Sequence, residues 1–201
     1  LHVGIIIHSR RNTASFLPLL LALFLSLQVV SAPSSAADAT ADEVWLLVDT
    51  ENLSISVMRG KALLYKYDNI AIGSNGPSVA RRVSDQTTPL GEFRISGINP
   101  RSRFHLFMAI DYPTMEHARS ALADGRISPD EYMAVSNAWL GGEPPPQDTR
   151  LGGYLGIHGV GDGNTGIHGL VNWTDGCIAV TNEQMDELAS WVGVGTRVSI
   201  R

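Results

Sequence analysis

Short strand-like segments separated by turn residues begin the regular part of the chain, and they favour a mainly β fold. Residues 44–48 form a continuous apolar run, and apolar and polar residues alternate over residues 53–57. Alternation with a period of two is typical of a half-buried strand. Turns at residues 50–52 and 59–61 and a third strand over residues 63–72 complete a predicted antiparallel meander.

The rest of the chain adds further strands and three helices. Strands are predicted over residues 91–98, 103–110, 154–158 and 197–200, and residues 73–89 form a loop rich in Gly, Ser and Pro. Helices are predicted over residues 114–123 and 129–139 and from Asn182 onward. Capping-box pairs mark the starts of the second and third helices: Ser128 with Glu131, and Thr181 with Gln184. The predicted fold class is therefore mainly β with inserted helices.

Residues 1–37 are expected to lie outside this fold. Arg10 and Arg11 precede an apolar run over residues 16–30, and the small residues 35–37 follow it. A positive start, a short apolar core and a small-residue end are typical of a secretory signal peptide. The run is shorter than the ~20 residues that span a bilayer, so cleavage after Ala37 is expected rather than a retained membrane anchor. Residues 38–43 are then a flexible tail, and residues 44–201 are the folded domain.

The charge of the chain argues against a nucleic-acid partner. All 20 acidic residues follow residue 37, whereas two of the 15 basic residues, Arg10 and Arg11, precede it. Phosphate binding relies on clustered Lys and Arg, and the acidic remainder contains no basic run. We therefore expect neither a nucleic-acid partner nor a polybasic contact with a membrane, and no membrane span after signal cleavage.

Cys177 is the only cysteine of the chain. An exported protein faces an oxidising compartment in which cysteines are usually paired, and a single cysteine cannot form an internal disulfide. A lone thiol in such a protein is a reactive group, an intermolecular partner or an incidental residue. A buried structural cysteine is the simplest alternative to a nucleophile.

Residues 153–182 surround this thiol with the groups that nucleophilic catalysis needs. The segment contains eight glycines and both His158 and His168. A thiol is only a few per cent ionised at neutral pH, and an imidazole can take its proton or lower its pKa. Either histidine can reach Cys177 from such a loop, so the spacing leaves both open. Backbone N–H groups beside Gly176 are candidates for an oxyanion site.

Two further interpretations of this segment remain. His158, Asp162, His168, Asp175 and Cys177 are all possible zinc ligands, although their spacing fits no common zinc signature. Trp173 and Trp139 are candidates either for stacking on a ligand or for core packing.

The segment resembles the signature of the L,D-transpeptidase catalytic domain. Residues 157–159, Ile-His-Gly, are followed by a glycine-rich spacer and then by Thr-Asp-Gly-Cys-Ile at residues 174–178. The family signature has a His, a spacer of similar length, Ser or Thr, usually a second His, and then Gly-Cys. The resemblance selects His158 over His168, which lies too close to Cys177. Residues 88–93, 111–113 and 195–198 also resemble family segments.

The resemblance implies a β-sandwich or barrel with the cysteine at the end of a groove, and peptidoglycan stem peptides as the substrate. It further implies that Cys177 attacks the meso-diaminopimelyl carbonyl of a donor tetrapeptide, that D-alanine leaves, and that the acyl group passes to an amine to form a 3-3 cross-link. In this resemblance His158 has the role of transferring the proton. The implied location is the periplasm or cell envelope, and no cofactor is implied. The remaining site residues are the oxyanion and backbone groups of Gly176, Cys177 and Gly159, and the possible substrate contacts Thr174, Asp175, His168 and Trp173.

Asp175 departs from the family, because a second His usually stands at its position. An ionised Asp175 close to the thiol raises the thiol pKa; alternatively, its side chain points away and stabilises the Asp-Gly turn.

A thiol amidase or peptidase of the envelope and a non-catalytic peptidoglycan-binding module are the alternative functions. The helical insert of residues 114–139 is either a lid on the groove or a surface embellishment.

Overall fold

The computed structural model describes residues 42–163 and 165–201. The predicted signal peptide and residues 38–41 of the predicted tail lie outside the described residues. Within the described part, no helix has the length and apolar character needed to cross a bilayer.

The described residues contain ten strands and three helices. In chain order they are β1 (Val44–Asp49), β2 (Ser54–Arg59), β3 (Ala62–Asp68), β4 (Pro77–Ser78), β5 (Thr88–Pro89), β6 (Gly91–Ser102), β7 (His105–Ile110), α1 (Met115–Ala123), α2 (Pro129–Gly141), β8 (Gly156–His158), β9 (Ile178–Ala179), α3 (Asn182–Ala189) and β10 (Arg197–Ile200). The prediction of a mainly β fold with inserted helices is confirmed.

Eight strands form one mixed sheet in the order β3-β2-β1-β10-β6-β7-β8-β9, and β4 and β5 pair separately. The β1–β10 and β8–β9 pairs are parallel, and the other pairs of the large sheet are antiparallel. The predicted meander is β1–β2–β3. Strand β2 is not half-buried as its alternation indicated, because Ser54 and Ser56 are buried along with the apolar residues between them.

The third strand is shorter than predicted. It ends at Asp68, and Asn69 adopts a positive φ of 59°, a conformation that Asn tolerates better than most residues. The chain therefore turns away, and Ala71 and Gly73 instead form bridges with Ala179 and Thr174. The second half of the predicted strand thus supports the segment that contains the cysteine.

All three predicted helices form, and their caps explain where they begin. Thr114 caps α1, and the two predicted capping boxes, at Ser128 and at Thr181, are present in α2 and α3. On α3, Met185 and Leu188 are fully buried in the core. Burying a side chain of this size contributes about 1.5–3 kcal/mol, which fixes the helix that follows the cysteine segment.

Candidate active site

The two central residues of the site come from the neighbouring parallel strands β8 and β9. Ile157 pairs with Ile178 and His158 with Ala179, and Cys177 immediately precedes β9. Both isoleucine side chains are fully buried, so the core fixes the strands at this point. His158 and Cys177 line the same cleft, which has a volume of about 750 Å³.

The remaining lining of this cleft comes from four parts of the chain: the loop before β5, the β6–β7 hairpin, the segment before β8 and the cysteine turn. These residues are Arg81, Asn99, Arg101, Ser102, Arg103, Phe104, Phe107, Gly153, Tyr154, Leu155, Trp173, Thr174 and Asp175.

The hydrogen bonding of His158 fixes its tautomer. Its Nδ1 lies 2.7 Å from the carbonyl oxygen of Gly159, and a carbonyl can only accept, so Nδ1 carries the proton. In the neutral ring, Nε2 then has the free lone pair. The imidazole is buried and stacks on Phe104 with ring centroids 4.3 Å apart. Such a ring has little freedom to rotate, so its Nε2 is held ready to accept a proton.

Burial also lowers the pKa of His158 below its ordinary value. The hydrogen bond to Gly159 opposes this shift, while the positive charge of Arg103 and the neighbouring His168 add to it. A buried imidazole with a lowered pKa is neutral at pH 7.

The thiol of Cys177 is also held in its neutral form. Burial raises its pKa to about 11; a hydrogen bond from the Gly156 backbone and the charge of Arg81 oppose the shift, and Asp175 adds to it. The thiol donates to the carbonyl oxygen of Tyr154 at 3.7 Å. The sequence left open whether an imidazole takes the thiol proton or lowers the thiol pKa. The raised pKa of the thiol and the lowered pKa of His158 favour the first of these two roles.

A threonine holds the tight turn before Cys177. The Thr174 hydroxyl donates to the carbonyl oxygen of Cys177 at 2.6 Å and accepts from the N–H of Gly176 at 3.1 Å. Gly176 has a φ of 124°, and a Cβ there meets the carbonyl oxygen of Thr87 at 2.5 Å. Only glycine fits this position. The Gly176 N–H, a predicted oxyanion donor, is thus engaged by Thr174.

Asp175 does not stabilise the Asp-Gly turn, contrary to one of the two alternatives. Its carboxylate accepts a hydrogen bond from the side-chain amide of Gln86 at 3.1 Å. The side chain that forms a hydrogen bond within the turn is that of Thr174, which accepts from the N–H of Gly176. Asp175 remains at the lining of the cleft, where its charge raises the thiol pKa, as the other alternative expected.

Sequence analysis missed Arg81, which ties three parts of the site together. Its buried guanidinium donates to the carbonyl oxygens of Thr87 at 2.8 Å, Leu151 at 2.7 Å and Asp175 at 3.1 Å. Arg82, its neighbour, is exposed. Nothing in the local sequence distinguishes the two arginines, because the burial of Arg81 depends on segments far along the chain.

The three remaining candidate contacts with aromatic rings take different positions. Trp173 lines the cleft, edge-on to His158 with ring centroids 6.0 Å apart. His168 is not among the lining residues; its Nδ1 accepts from the indole N–H of Trp173 at 3.4 Å. Trp139 donates to the carbonyl oxygen of Pro113 and borders a separate, smaller pocket.

Helices α1 and α2 contribute no residue to the cleft lining, which argues against a lid. The segment between them contacts a lining residue, since the Arg126 guanidinium donates to the carbonyl oxygen of Arg81 at 3.3 Å. Among residues 42–163 and 165–201, no three His, Cys, Asp or Glu side chains converge in a way that could hold a metal ion.

A mainly β fold in which a histidine ends one strand and a cysteine immediately precedes the neighbouring parallel strand defines a class of Cys–His proteins. The family model of the L,D-transpeptidase catalytic domain (YkuD) matches residues 43–200. The chain belongs to this family.

Solved structures show the same fold. The Bdellovibrio bacteriovorus protein Bd1075 is 18% identical with a TM-score of 0.51, and the match covers 80% of this chain and 48% of that one. The helical cell shape determining protein Pgp2 from Campylobacter jejuni is 17% identical with a TM-score of 0.53, and the match covers 82% of this chain and 51% of that one. The chain spans about half the length of these two proteins. No curated protein sequence matches it at a significant level.

Proposed function

We propose that this protein is an L,D-transpeptidase, a cysteine acyltransferase that acts on peptidoglycan stem peptides. The observation that carries the proposal is the cleft that Cys177 and His158 share in a chain of the L,D-transpeptidase family, with His158 at the end of β8 and Cys177 directly before the parallel strand β9. The substrate is a donor tetrapeptide, attacked at the carbonyl of its meso-diaminopimelyl residue.

In the first half-reaction, Cys177 attacks this carbonyl while Nε2 of His158 takes the thiol proton. A C–S bond forms, the amide C–N bond breaks, and His158 returns the proton to the departing amine of D-alanine. The neutral pair supports proton transfer during the attack rather than a preformed ion pair. In the second half-reaction an acceptor amine attacks the thioester, an amide C–N bond forms and the C–S bond breaks. His158 takes the proton from the amine and returns it to the departing thiolate, which restores the thiol.

Three groups stabilise the charges of this cycle. The Gly156 N–H and the Arg81 guanidinium favour the thiolate when it leaves the thioester, because both lower the thiol pKa. The backbone N–H of Cys177 is our candidate donor for the oxyanion, since Thr174 already engages that of Gly176. The Gly159 carbonyl keeps His158 in its reactive tautomer.

The location follows from this substrate. Peptidoglycan lies outside the cytoplasmic membrane, so we propose that residues 1–37 direct export and that residues 44–201 work as the catalytic domain in the periplasm or cell envelope. The chain carries no basic run that favours a nucleic-acid partner.

Incubation of the protein with purified tetrapeptide, followed by mass spectrometry of the products, tests the proposal. A 3-3 cross-linked dimer and free D-alanine are the expected products, and both should be absent with Cys177→Ala. Tripeptide formed with incorporation of water, without any dimer, identifies an amidase instead. Binding of the tetrapeptide without turnover by the unmodified protein identifies a binding module. Either of these two results overturns the proposal.

A further inference from the structure

Two exposed arginines, Arg101 and Arg103, lie at the tip of the β6–β7 hairpin and line the cleft. Neither forms an ion pair with a carboxylate among the residues that the structure describes. Asp175 is the one acidic residue of the described lining, and Gln86 holds its carboxylate. An acidic protein thus presents two unpaired guanidinium groups to its own cleft.

Arg103 lies on the His158 side of the site. Its guanidinium carbon is 4.6 Å from the ring centroid of Phe104, and Phe104 stacks directly on His158 with ring centroids 4.3 Å apart. The charge of Arg103 reaches the imidazole, since it contributes to the lowered pKa of His158. A group bound by Arg103 is therefore next to the residue that transfers the proton.

The hairpin tip is held firmly in this position. A Cβ at Gly159 meets the Phe104 carbonyl oxygen at 2.9 Å, and one at Gly161 meets the Arg103 carbonyl oxygen at 2.3 Å. Asn182 binds both the N–H and the carbonyl oxygen of Gly161, at 2.8 and 3.1 Å. Glycine thus lets the main chain of the hairpin pack against the segment after His158, so both arginines project from a fixed backbone.

The chemistry of the proposed reaction places a carboxylate on this side. His158 gives its proton to the departing amine, and in D-alanine that amine and a carboxylate share one carbon. The carboxylate of the leaving group is therefore only two bonds from the nitrogen that His158 protonates. Guanidinium groups bind carboxylates through two parallel hydrogen bonds, better than any other side chain does.

We propose that Arg101 and Arg103 form a carboxylate subsite for the amino acid whose amine leaves Cys177 or attacks its thioester. This inference rests on the proposed function. Because the second half-reaction reverses the geometry of the first, the same subsite receives the acceptor. The acceptor is then an amine whose carbon also bears a carboxylate, such as a free amino acid or the side-chain centre of diaminopimelate. A lysine side chain of a protein lacks that carboxylate and is a poor acceptor.

Binding to a Cys177→Ala protein tests this subsite without any turnover. The two probes are the tetrapeptide with a free C-terminal carboxylate and the same peptide with a C-terminal carboxamide. We expect the acid to bind about tenfold tighter, which is the scale of one charge-assisted hydrogen bond. Adding Arg101→Gln and Arg103→Gln should remove this preference, whereas Arg119→Gln, on the exposed face of α1, should retain it.

Equal affinity for the two peptides, a preference that survives the double substitution, or no binding of either peptide overturns the inference. The result is separable from the proposed function, because these measurements need no reaction. If the protein makes no cross-link but shows the arginine-dependent preference, the carboxylate subsite is supported and the proposed transferase function is contradicted. If the protein makes the cross-link but binds the acid and the carboxamide equally, the proposed function is supported and the carboxylate subsite is contradicted.

Discussion

At the scale of single residues, the resting site holds two neutral groups. Burial raises the pKa of Cys177 and lowers that of His158, so the cleft holds a neutral thiol and a neutral imidazole rather than an ion pair. In the reaction we propose, attack on the substrate carbonyl makes transfer of the thiol proton to Nε2 favourable. Two predictions follow from the direction of each shift.

The first concerns alkylation of Cys177 by iodoacetamide. Only the thiolate reacts, and with a pKa of about 11 its fraction at pH 8 is small. We expect folded protein to react at least tenfold more slowly at pH 8 than urea-unfolded protein, whose thiol has an ordinary pKa, and the rate to keep rising above pH 9. Mass spectrometry of quenched samples measures both rates. A folded protein that reacts faster than the unfolded one contradicts the neutral thiol.

The second concerns the pH dependence of kcat/KM for D-alanine release. His158 must be neutral to accept a proton, and its pKa lies below the ordinary value of 6.5. Activity should therefore be full at pH 7 and should fall only as the pH drops through that lowered pKa. A stopped assay of free D-alanine between pH 4 and 8 measures the profile. An acid limb centred at or above pH 7 is incompatible with the structure.

A third prediction tests the turn before the nucleophile. Gly176→Ala places a Cβ against the Thr87 carbonyl oxygen in a backbone conformation with a φ of 124°, so the turn must shift. We expect a loss of about 1–3 kcal/mol in the free energy of unfolding and at least a tenfold loss of kcat. Urea unfolding and the D-alanine assay measure the two effects.

Gly193→Ala is the matched control for this change. No atom lies within 4 Å of a Cβ at Gly193, and its φ is not positive. It should leave both quantities unchanged. If the two variants have the same free energy of unfolding and the same kcat, the claim that position 176 requires glycine is contradicted.

At the scale of elements, loops that carry no regular pattern hold the site together. The loop before β5 contributes Arg81, whose guanidinium joins carbonyl oxygens from residues 87, 151 and 175. Thr88 adds a hydroxyl that donates to the carbonyl oxygen of Gly176 at 3.0 Å. The cysteine turn is therefore positioned by a segment almost a hundred residues earlier in the chain.

Replacement of Arg81 tests this cross-link. Arg81→Met removes a guanidinium that donates to three carbonyl oxygens. The Leu151 oxygen keeps the hydrogen bond from the Tyr112 hydroxyl, whereas the Thr87 and Asp175 oxygens lose their donor, at about 1–3 kcal/mol each. We expect the free energy of unfolding to fall by about 3 kcal/mol or more. Arg82→Met changes an exposed neighbour and should stay within about 0.5 kcal/mol of the original protein. Urea unfolding compares them, and equal midpoints for the two variants argue against the bracing role.

The elements that sequence could predict are those with a local physical signal. Alternation marks β2, and the capping boxes mark the starts of α2 and α3. The two-residue strand β9 has no periodicity to detect, and neither do the bridges at Ala71 and Gly73. The motif selected Cys177 and His158, whereas Arg81 and the hairpin arginines depend on tertiary packing that no local pattern reports.

At the scale of the whole molecule, strands distant in the sequence pair at the centre of the sheet. Strand β10 lies between β1 and β6, with Ile200 opposite Val48 on one side and Gly91 on the other. The sequence predicted each of these strands but not their order. The site strands β8 and β9 lie at one edge of this sheet.

Ile200→Ala tests the importance of this central strand. The side chain is 2% exposed, and removing a buried side chain of this size costs about 2–5 kcal/mol. Leu140→Ala removes a side chain that is 85% exposed and is the control, with an expected change below about 0.5 kcal/mol. Urea unfolding measures both. A loss at Ile200 no larger than that at Leu140 contradicts a central β10.

The central claim is that Cys177 carries the acyl group, and intact-protein mass spectrometry tests it most directly. The protein is mixed with a donor tetrapeptide whose diaminopimelyl side-chain amine is acetylated, so that it cannot act as an acceptor, and is quenched in acid within seconds. We predict a covalent adduct of the donor without its D-alanine, mapped to Cys177 and absent from Cys177→Ala. Release of D-alanine with no adduct, or by Cys177→Ala at an equal rate, contradicts the claim.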